Sequence, residues 1–419
     1  MAVPTTWDLS PPPPSDLGDH DVARLGDHLA GRRIALMVTG GIAAMKAPLV
    51  ARALRRQGAE VVAFASEEAL RYVTREALEW STVHPLVTRL TAAAEHLSDD
   101  QPFDAYLVAP ATYNSINKLR HGIADGVVSA ALASALGRME QGRTEVLVAP
   151  TMHGSLHTAI LTESLEALAA MGVHLVPPRE DYGKHNLPAE EVLVAAVCRA
   201  VSRSPLKGVP ILVTGGPTPV PIDSIRRITN VFKGELGARI TEELYLRGAD
   251  AELILGEAAF QPPAWLPCRV VRSYDEYREG VSLALERGRH RAAVFSAAVA
   301  DYRPTQVRPG KTPSGGVLRQ LEMEPVPKVI DEVRGAFPDL YMLTFKYQEG
   351  ISHDELMAIG RERLSVYSAI VVNRGEERGP HGEQVAYLMG RQGEPTRLVG
   401  KPGIARGIAE HLEHVLNPG

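Results

Sequence analysis

The chain has 419 residues, 45% of them hydrophobic and 23% charged, with a formal net charge of -5. That is the composition of a folded globular protein of about two domains, and it excludes fibrous and largely disordered classes. An acidic balance without a concentrated basic run argues against nucleic acid as a partner.

Two cysteines, Cys198 and Cys268, are too few for a disulfide framework or a four-cysteine zinc site. With no secretory pattern at the start and no apolar run of about 18 residues, the expectation is a reducing, cytoplasmic setting with no membrane contact. The sequence identifies no metal-ligand set. Residues 1–31 carry Pro11-Pro12-Pro13-Pro14 followed by polar and acidic positions, which predicts a stiff extended arm leading into a short helix. Such an arm either lies on the surface or bridges subunits.

Beyond the arm the period of the apolar positions alternates between strand and helix. Strands are expected at 33–38, 60–65, 105–109, 145–149 and 174–176, with helices at 43–57, 67–78 and 164–171. This is βαβ rhythm. Residues 202–208 read as a linker, and a second series begins with an apolar strand at 209–213. It continues with strands at 252–255, 269–271, 292–296, 340–344 and 369–372, and with helices at 236–247 and 274–287 among others. The fold class expected is α/β, with two doubly wound Rossmann-like domains meeting near residue 205.

Each series opens on a glycine turn. Thr39-Gly40-Gly41-Ile42-Ala43 places small residues between a buried strand and a helix start, where bare N–H groups and the helix dipole can hold a phosphate, and Thr214-Gly215-Gly216-Pro217 is a similar turn after a buried strand. Neither has the spacing of the dinucleotide fingerprint, so a flavin mononucleotide suits the first turn better than NAD.

Further residues make the reading specific. Pro110-Ala111-Thr112-Tyr113-Asn114 leads to Gly122-Ile123-Ala124-Asp125, and together with the first glycine turn this resembles the flavin-containing cysteine decarboxylase family. His96 stands fourteen residues before Pro110, the family spacing of its histidine. The resemblance implies FMN held by Thr39, Gly40, Gly41, Ile42, Ala43, Ser66, Pro110, Ala111, Thr112, Asn114, Met152 and His153. It also implies that His96 accepts a proton as the substrate cysteine is oxidised, work that suits an imidazole.

Two positions depart from the family. His153 in Pro150-Thr151-Met152-His153 replaces an asparagine that helps hold the substrate carboxylate. The flap stretch 179–188, REDYGKHNLP, has no cysteine where the family has the thiol that protonates an enethiol. Cys198 follows an apolar helical pattern and reads as packing.

In the second half, Thr214-Gly215-Gly216-Pro217 with Arg226-Arg227-Ile228-Thr229-Asn230, and Ala297-Ala298-Val299-Ala300-Asp301-Tyr302, is similar to the phosphopantothenate–cysteine ligase family. That resemblance implies activation of a carboxylate by CTP or ATP with Mg2+, followed by attack of the cysteine amine on the acyl-nucleotidylate. It assigns the nucleotide to Gly215, Gly216, Pro217, Ala298, Asp301, Lys311, Pro327, Phe345, Arg361 and Asn373, and catalysis to Asn230 and Lys311. Val231-Phe232-Lys233 replaces the family's His-Ser-Ser, and arginines stand at 361 and 363 where lysines are usual. Lys328 and Lys346 read as surface cations.

The combined resemblance implies a flavoprotein domain at 32–204 and a ligase domain at 205–419, acting in coenzyme A biosynthesis on a phosphopantothenate-like acid and cysteine. It implies a homo-oligomer, a trimer-based dodecamer or a dimer, with FMN at a subunit interface. The competing readings are a paralogue working on a different cysteine-like amide and a non-catalytic FMN-binding subunit.

Overall fold

The computed structural model describes residues 8, 10–97, 100–288, 290–311 and 320–417. Residues 1–7 and Leu9 of the proline-rich arm lie outside them. The chain divides into two compact units, Met1–Val201 and Ser202–Gly419.

In the first unit, strands β1 (Arg33–Val38), β2 (Glu60–Ala65), β3 (Ala105–Ala111), β4 (Glu145–Pro150) and β6 (His174–Leu175) form a parallel sheet in the order β2-β1-β3-β4-β6. Three short strands, β5 (Met152–His153), β7 (Arg179–Asp181) and β8 (Lys184–Asn186), make a separate antiparallel sheet in the order β5-β8-β7. The helices are α1 (Ala47–Arg56), α2 (Arg75–Thr82), α3 (Tyr113–Arg120), α4 (Val127–Glu140), α5 (Ala159–Ala170) and α6 (Glu190–Val201). The central strands are apolar throughout because helices cover both faces of a parallel sheet.

Several expected helices are corrected. The helix read at 43–57 is a 3₁₀ turn, Ile42–Lys46, followed by α1. Pro48, in the first turn of α1, has no N–H to bond backwards, so a single helix cannot run through it. The helix read at 67–78 is likewise split into a 3₁₀ turn, Glu67–Arg71, and α2, because the Thr74 hydroxyl accepts from Ala77 N at 3.2 Å and starts a new helix there. The helix read at 164–171 begins five residues earlier, at Ala159.

The arm forms no helix among its described residues. Its backbone is spent elsewhere: Leu25 N donates to Arg56 O and Leu29 N to Gln57 O, both at 2.9 Å, satisfying carbonyls at the end of α1. Leu29 is fully buried beneath them.

In the second unit the strands are β9 (Pro210–Gly215), β10 (Val220–Pro221), β11 (Arg227–Ile228), β12 (Asp250–Gly256), β13 (Cys268–Val271), β14 (Ala292–Phe295), β15 (Tyr302–Pro304), β16 (Met323–Pro325), β17 (Tyr341–Gln348), β18 (Ala369–Arg374), β19 (Val385–Gly390) and β20 (Thr396–Val399). The main sheet runs β13-β12-β9-β14-β17-β18-β19-β20. Its helices are α7 (Glu235–Leu246), α8 (Tyr274–Arg287), α9 (Val329–Ala336), α10 (His353–Arg363) and α11 (Gly400–Leu416).

One face packs against α7 and α11 through Ile240, Leu244, Ile404 and Ile408; the other packs against α8 and α9 through Tyr277, Val281, Val329 and Val333. The six strands from β13 to β18 are parallel, but β19 and β20 continue the edge as an antiparallel pair that the sequence reading lacked. Such an edge is common on otherwise parallel sheets.

Both sheets reverse their winding beside the first strand, between β1 and β3 and between β9 and β14. In the second unit the backbone is closely packed there. A Cβ on Gly256 would lie 1.7 Å from Pro217 O, and one on Gly237 would lie 2.8 Å from the Gly215 Cα. Gly216 turns at φ +76°, a region where only glycine is unstrained.

Gly256→Ala is therefore expected to cost at least about 3 kcal/mol, from overpacking against backbone that cannot move aside. Gly137, exposed on α4 with nothing within 4 Å of its hypothetical Cβ, is the contrast; Gly137→Ala should stabilise by about 0.5–1 kcal/mol. Thermal unfolding of the two variants beside the parent checks both signs.

Candidate active sites

A cavity of about 1000 Å³ opens at the carboxyl ends of β1 and β3, where open α/β sheets of this strand order bind ligands. Thr39 closes β1 and anchors the site. Its hydroxyl donates to Pro110 O at 2.7 Å and accepts from Thr112 N at 3.3 Å, tying the glycine turn to the end of β3.

Gly40 and Gly41 are needed for space rather than for φ. A Cβ on Gly40 would meet Glu68 Cβ at 2.4 Å, and one on Gly41 would meet Thr112 Cγ2 at 3.2 Å. The Thr112 hydroxyl lies 3.0 Å from Ser115 Oγ at the start of α3. The cavity is large enough for a flavin mononucleotide, and these hydroxyls with the bare turn supply the neutral donors that a phosphate and a polar ring edge need.

Thr39, Gly40, Gly41, Ile42, Ala43, Ser66, Thr112, Asn114, Met152 and His153 all line this cavity. Three expected residues do not. Pro110 and Ala111 stand behind the wall, Pro110 acting through its carbonyl on Thr39. His96 sits in the turn after Thr91 and does not line the cavity of its own chain; its Nδ1 is buried without a hydrogen-bond partner.

The sequence reading passed over residues that the fold brings in. Lys118 on α3 reaches Asp125 through both carboxylate oxygens, at 3.0 and 2.7 Å, which holds the Asp125 carboxyl below the usual range. Asp125 was visible as the end of Gly122-Ile123-Ala124-Asp125, but its partner was not.

The flap stretch is a β-hairpin. Tyr182 and Gly183, at φ +53° and +66°, make the two-residue turn between β7 and β8, the doubly left-handed kind that matches strand twist. This places Arg179, Lys184, His185 and Asn186 on the cavity. His185 pairs in register with Met152, and His153 with Lys184. His153 Nδ1 accepts from Ser155 N at 3.2 Å. The Ser155 hydroxyl lies 2.8 Å from the same nitrogen, so Ser155 holds the ring through Nδ1.

In the second unit Gly215, Gly216, Pro217, Asn230, Ala298 and Asp301 come together at the carboxyl ends of β9 and β14, whereas Lys311, Phe345, Arg361 and Asn373 stand on other segments. Ala298 N donates to Gly216 O at 2.8 Å, and Pro217 bridges to Ala298 in parallel register. Asn230 Nδ2 donates to Ala298 O at 2.8 Å. Thr218, nearly fully buried, accepts from Ala300 N at 2.9 Å and fixes the turn before Asp301.

Asp301 pairs with Lys328, which corrects the reading of Lys328 as a plain surface cation. Val326 N donates to Asp301 O at 3.0 Å, and Tyr274 donates to Pro327 O, so residues 326–328 are bound to the same turn. Asn373, 8% exposed, is the penultimate residue of β18, and Arg361 is exposed in the last turn of α10. Lys311 is exposed and ends a described stretch. Phe345 is turned partly into the core. Phe232 meets Tyr347 edge-on at 5.9 Å, so the segment after Asn230 lies against the end of β17.

Residues 22–202 match the Flavoprotein family, and residues 206–415 match the DNA/pantothenate metabolism flavoprotein C-terminal domain. The coenzyme A biosynthesis bifunctional protein CoaBC of Thermococcus kodakarensis is 34% identical over 397 residues, covering 93% of this chain and 96% of that protein. The protein of the same name from Methanocaldococcus jannaschii is 28% identical, covering 81% and 82%. That from Escherichia coli is 30% identical, covering 68% and 71%.

Thr39→Val keeps the volume but removes both hydrogen bonds of the anchor, leaving Pro110 O and Thr112 N without their partner. The expected cost is about 1–3 kcal/mol, read by denaturant unfolding of the parent and variant.

Proposed function

The chain belongs to the family of coenzyme A biosynthesis bifunctional proteins, which join a flavoprotein domain to a pantothenate-metabolism domain, and on that premise we propose that it condenses 4′-phosphopantothenate with cysteine and then decarboxylates the product. The observation that carries this reading is a likeness running through both units, over 96% of the Thermococcus protein. A cytoplasmic location fits such an enzyme.

In the second unit the nucleotide, CTP or ATP, would lie against the Gly215-Gly216-Pro217 turn, in the crevice between β9 and β14. Attack of the acid on the α-phosphate builds charge on phosphate oxygens. Backbone N–H groups, Mg2+ and Lys311 would neutralise it. Asp301, steadied by Lys328, stands at the same turn and would take a ribose hydroxyl or the hydrated metal. Asn230 is held by Ala298 O, which leaves its amide oxygen to orient the activated acyl group or the incoming amine. Val231, 90% exposed, and Phe232 give that side an apolar surface where the resembling family has hydroxyls.

The first unit would hold FMN by the Thr39-Gly40-Gly41 turn, Ser66, Thr112 and Asn114. Bound FMN supplies the two-electron oxidation beside the thiol that makes loss of CO2 feasible. His153, on the cavity wall, would take over binding of the substrate carboxylate from the amide it replaces. Lys184 and Arg179, on the hairpin above, add positive charge for the phosphate or the carboxylate.

His96 would serve the cavity of a neighbouring copy as the base for the thiol proton, in a homo-oligomer. Ile42 and Leu156, 67% and 44% exposed, line that cavity and supply apolar surface for such a contact.

Incubating the protein with 4′-phosphopantothenate, cysteine, Mg2+ and CTP or ATP is expected to give 4′-phosphopantothenoylcysteine, and then its decarboxylated product, by mass spectrometry. Asn230→Ala should lower amide formation by about 10²-fold, the usual cost of one positioned donor or acceptor, with the flavin spectrum unchanged. A flavin spectrum with no pantothenate-derived product from the parent protein would overturn the proposal.

A further inference from the structure

The flavin-unit cavity is partly walled by the β7–β8 hairpin, whose strands have three residues each. A hairpin that short is marginal by itself, so the groups that fasten it to the rest of the unit decide whether this wall stays in place. The backbone supplies little. Strand β8 pairs with the two-residue β5 through Met152–His185 and His153–Lys184, and Gly183 O at the hairpin tip accepts from Gly154 N at 3.0 Å.

The side-chain fastening is a pair of imidazoles. Nε2 of His185 lies 2.6 Å from Nδ1 of His157, with the ring centroids 4.8 Å apart. His157 stands outside the hairpin, directly before Thr158, the N-cap residue of α5, and its own Nε2 is 3.1 Å from the Thr162 hydroxyl on that helix. At 2.6 Å two ring nitrogens share one proton, one donating and the other accepting, whether the pair is neutral or carries a single charge. Two protons do not fit between them, so a doubly charged pair must separate.

The surroundings provide for one charge and not for two. Nδ1 of His185 is 3.5 Å from the Glu180 carboxylate on β7, which balances a proton on that ring. The other charges of the hairpin are Lys184, beside His185, and Arg179, which is paired with Asp181 at 3.0 Å. Strand β5 sets Met152 opposite His185 and His153 opposite Lys184. On the α5 side, His157 meets a neutral hydroxyl and the positive end of a twelve-residue helix, which disfavours a cation there. The carboxylates of α5 come further along, at Glu163 and Glu166.

We propose that His157 is the latch of the hairpin: its contact with His185 holds β7–β8, and with it Arg179, Lys184 and Asn186, on the cavity, and uptake of a second proton by the pair releases it. The closed contact holds one proton between the facing nitrogens where the open one holds two. Closure is therefore favoured above the pH at which the second proton binds and is lost as pH falls through it, a change that imidazoles ordinarily make between about pH 5 and 8. His157 is thus a positioning residue that acts on the site through the hairpin. The inference rests on the first-unit cavity being the flavin and substrate site, and it gives that site a dependence on pH.

The test uses the full-length protein with FMN. Amide hydrogen exchange of peptides spanning 179–188, read by mass spectrometry and corrected for the intrinsic pH dependence of exchange, is compared at about pH 8 and about pH 5.5. In the parent the corrected exchange is expected to be about two- to ten-fold faster at the lower pH, the weight of one hydrogen bond, with peptides from β1 unchanged. His157→Asn, which keeps an amide near the place of Nδ1 but takes up no proton, is expected to hold the hairpin at both pH values, and His157→Ala to exchange fast at both. His157 is exposed, so neither variant should disturb folding, and the β1 peptides check this.

Steady-state decarboxylation of 4′-phosphopantothenoylcysteine gives the second readout. Between the same two pH values KM is expected to rise more in the parent than in His157→Asn, by the factor seen in exchange. Hairpin exchange in the parent that follows only the intrinsic pH dependence, an acid response that His157→Asn retains in full, or a His157→Ala hairpin indistinguishable from the parent would overturn the latch. An acid response that is lost in His157→Asn, in a protein that releases no CO2, would support the latch and overturn the decarboxylase reading.

Discussion

Both sites depend on the close packing of the turn at the carboxyl end of the first strand of each sheet. In the second unit the β12 end presses on the turn after β9, leaving no room for a Cβ at Gly256, and α7 enters against Gly215 through Gly237. In the first unit the same closeness comes from Thr39, whose hydroxyl joins the turn after β1 to the carbonyl of Pro110. Bringing bare backbone this close makes a surface on which N–H groups, rather than side chains, face a ligand. That suits phosphate and nucleotide chemistry, because the donors are fixed before the ligand arrives.

From that constraint the rest of each unit follows. A parallel sheet winds outward in both directions from its first strand, so the neighbouring strands β3 and β14 deliver their terminal residues to the same crevice. Thr112 arrives beside Thr39 in this way, and Ala298 beside Gly216. The outer elements add what the crevice lacks. In the first unit the β7–β8 hairpin covers the cavity and brings two cations and an imidazole; in the second, residues 326–328 bring Lys328 to Asp301.

The departures from the resembling families are concentrated in these outer elements. His153, the cysteine-free flap stretch, the segment 231–233 and the arginines at 361 and 363 all lie outside the two glycine turns. The anchoring turns keep their residues. Such a division is expected physically: the turns are fixed by backbone packing that tolerates no extra atom, while the covering segments are constrained only by what they bind.

By itself the sequence determined the α/β class, both series of strands, and the glycine turns with the motifs that follow strands β3 and β14. These are local signals, carried by apolar period and by residues close together in the chain. It did not determine where helices break, because Pro48 and Thr74 act through single backbone groups that an apolar period does not register. Nor did it give the antiparallel edge of β19 and β20, the pairing of Asp301 with Lys328, the facing of His157 and His185, or the exclusion of His96 from its own cavity. Each of these joins or separates residues through the packing of distant segments, and the distance at which two side chains meet is decided only when the sheet and its covering elements have closed around them.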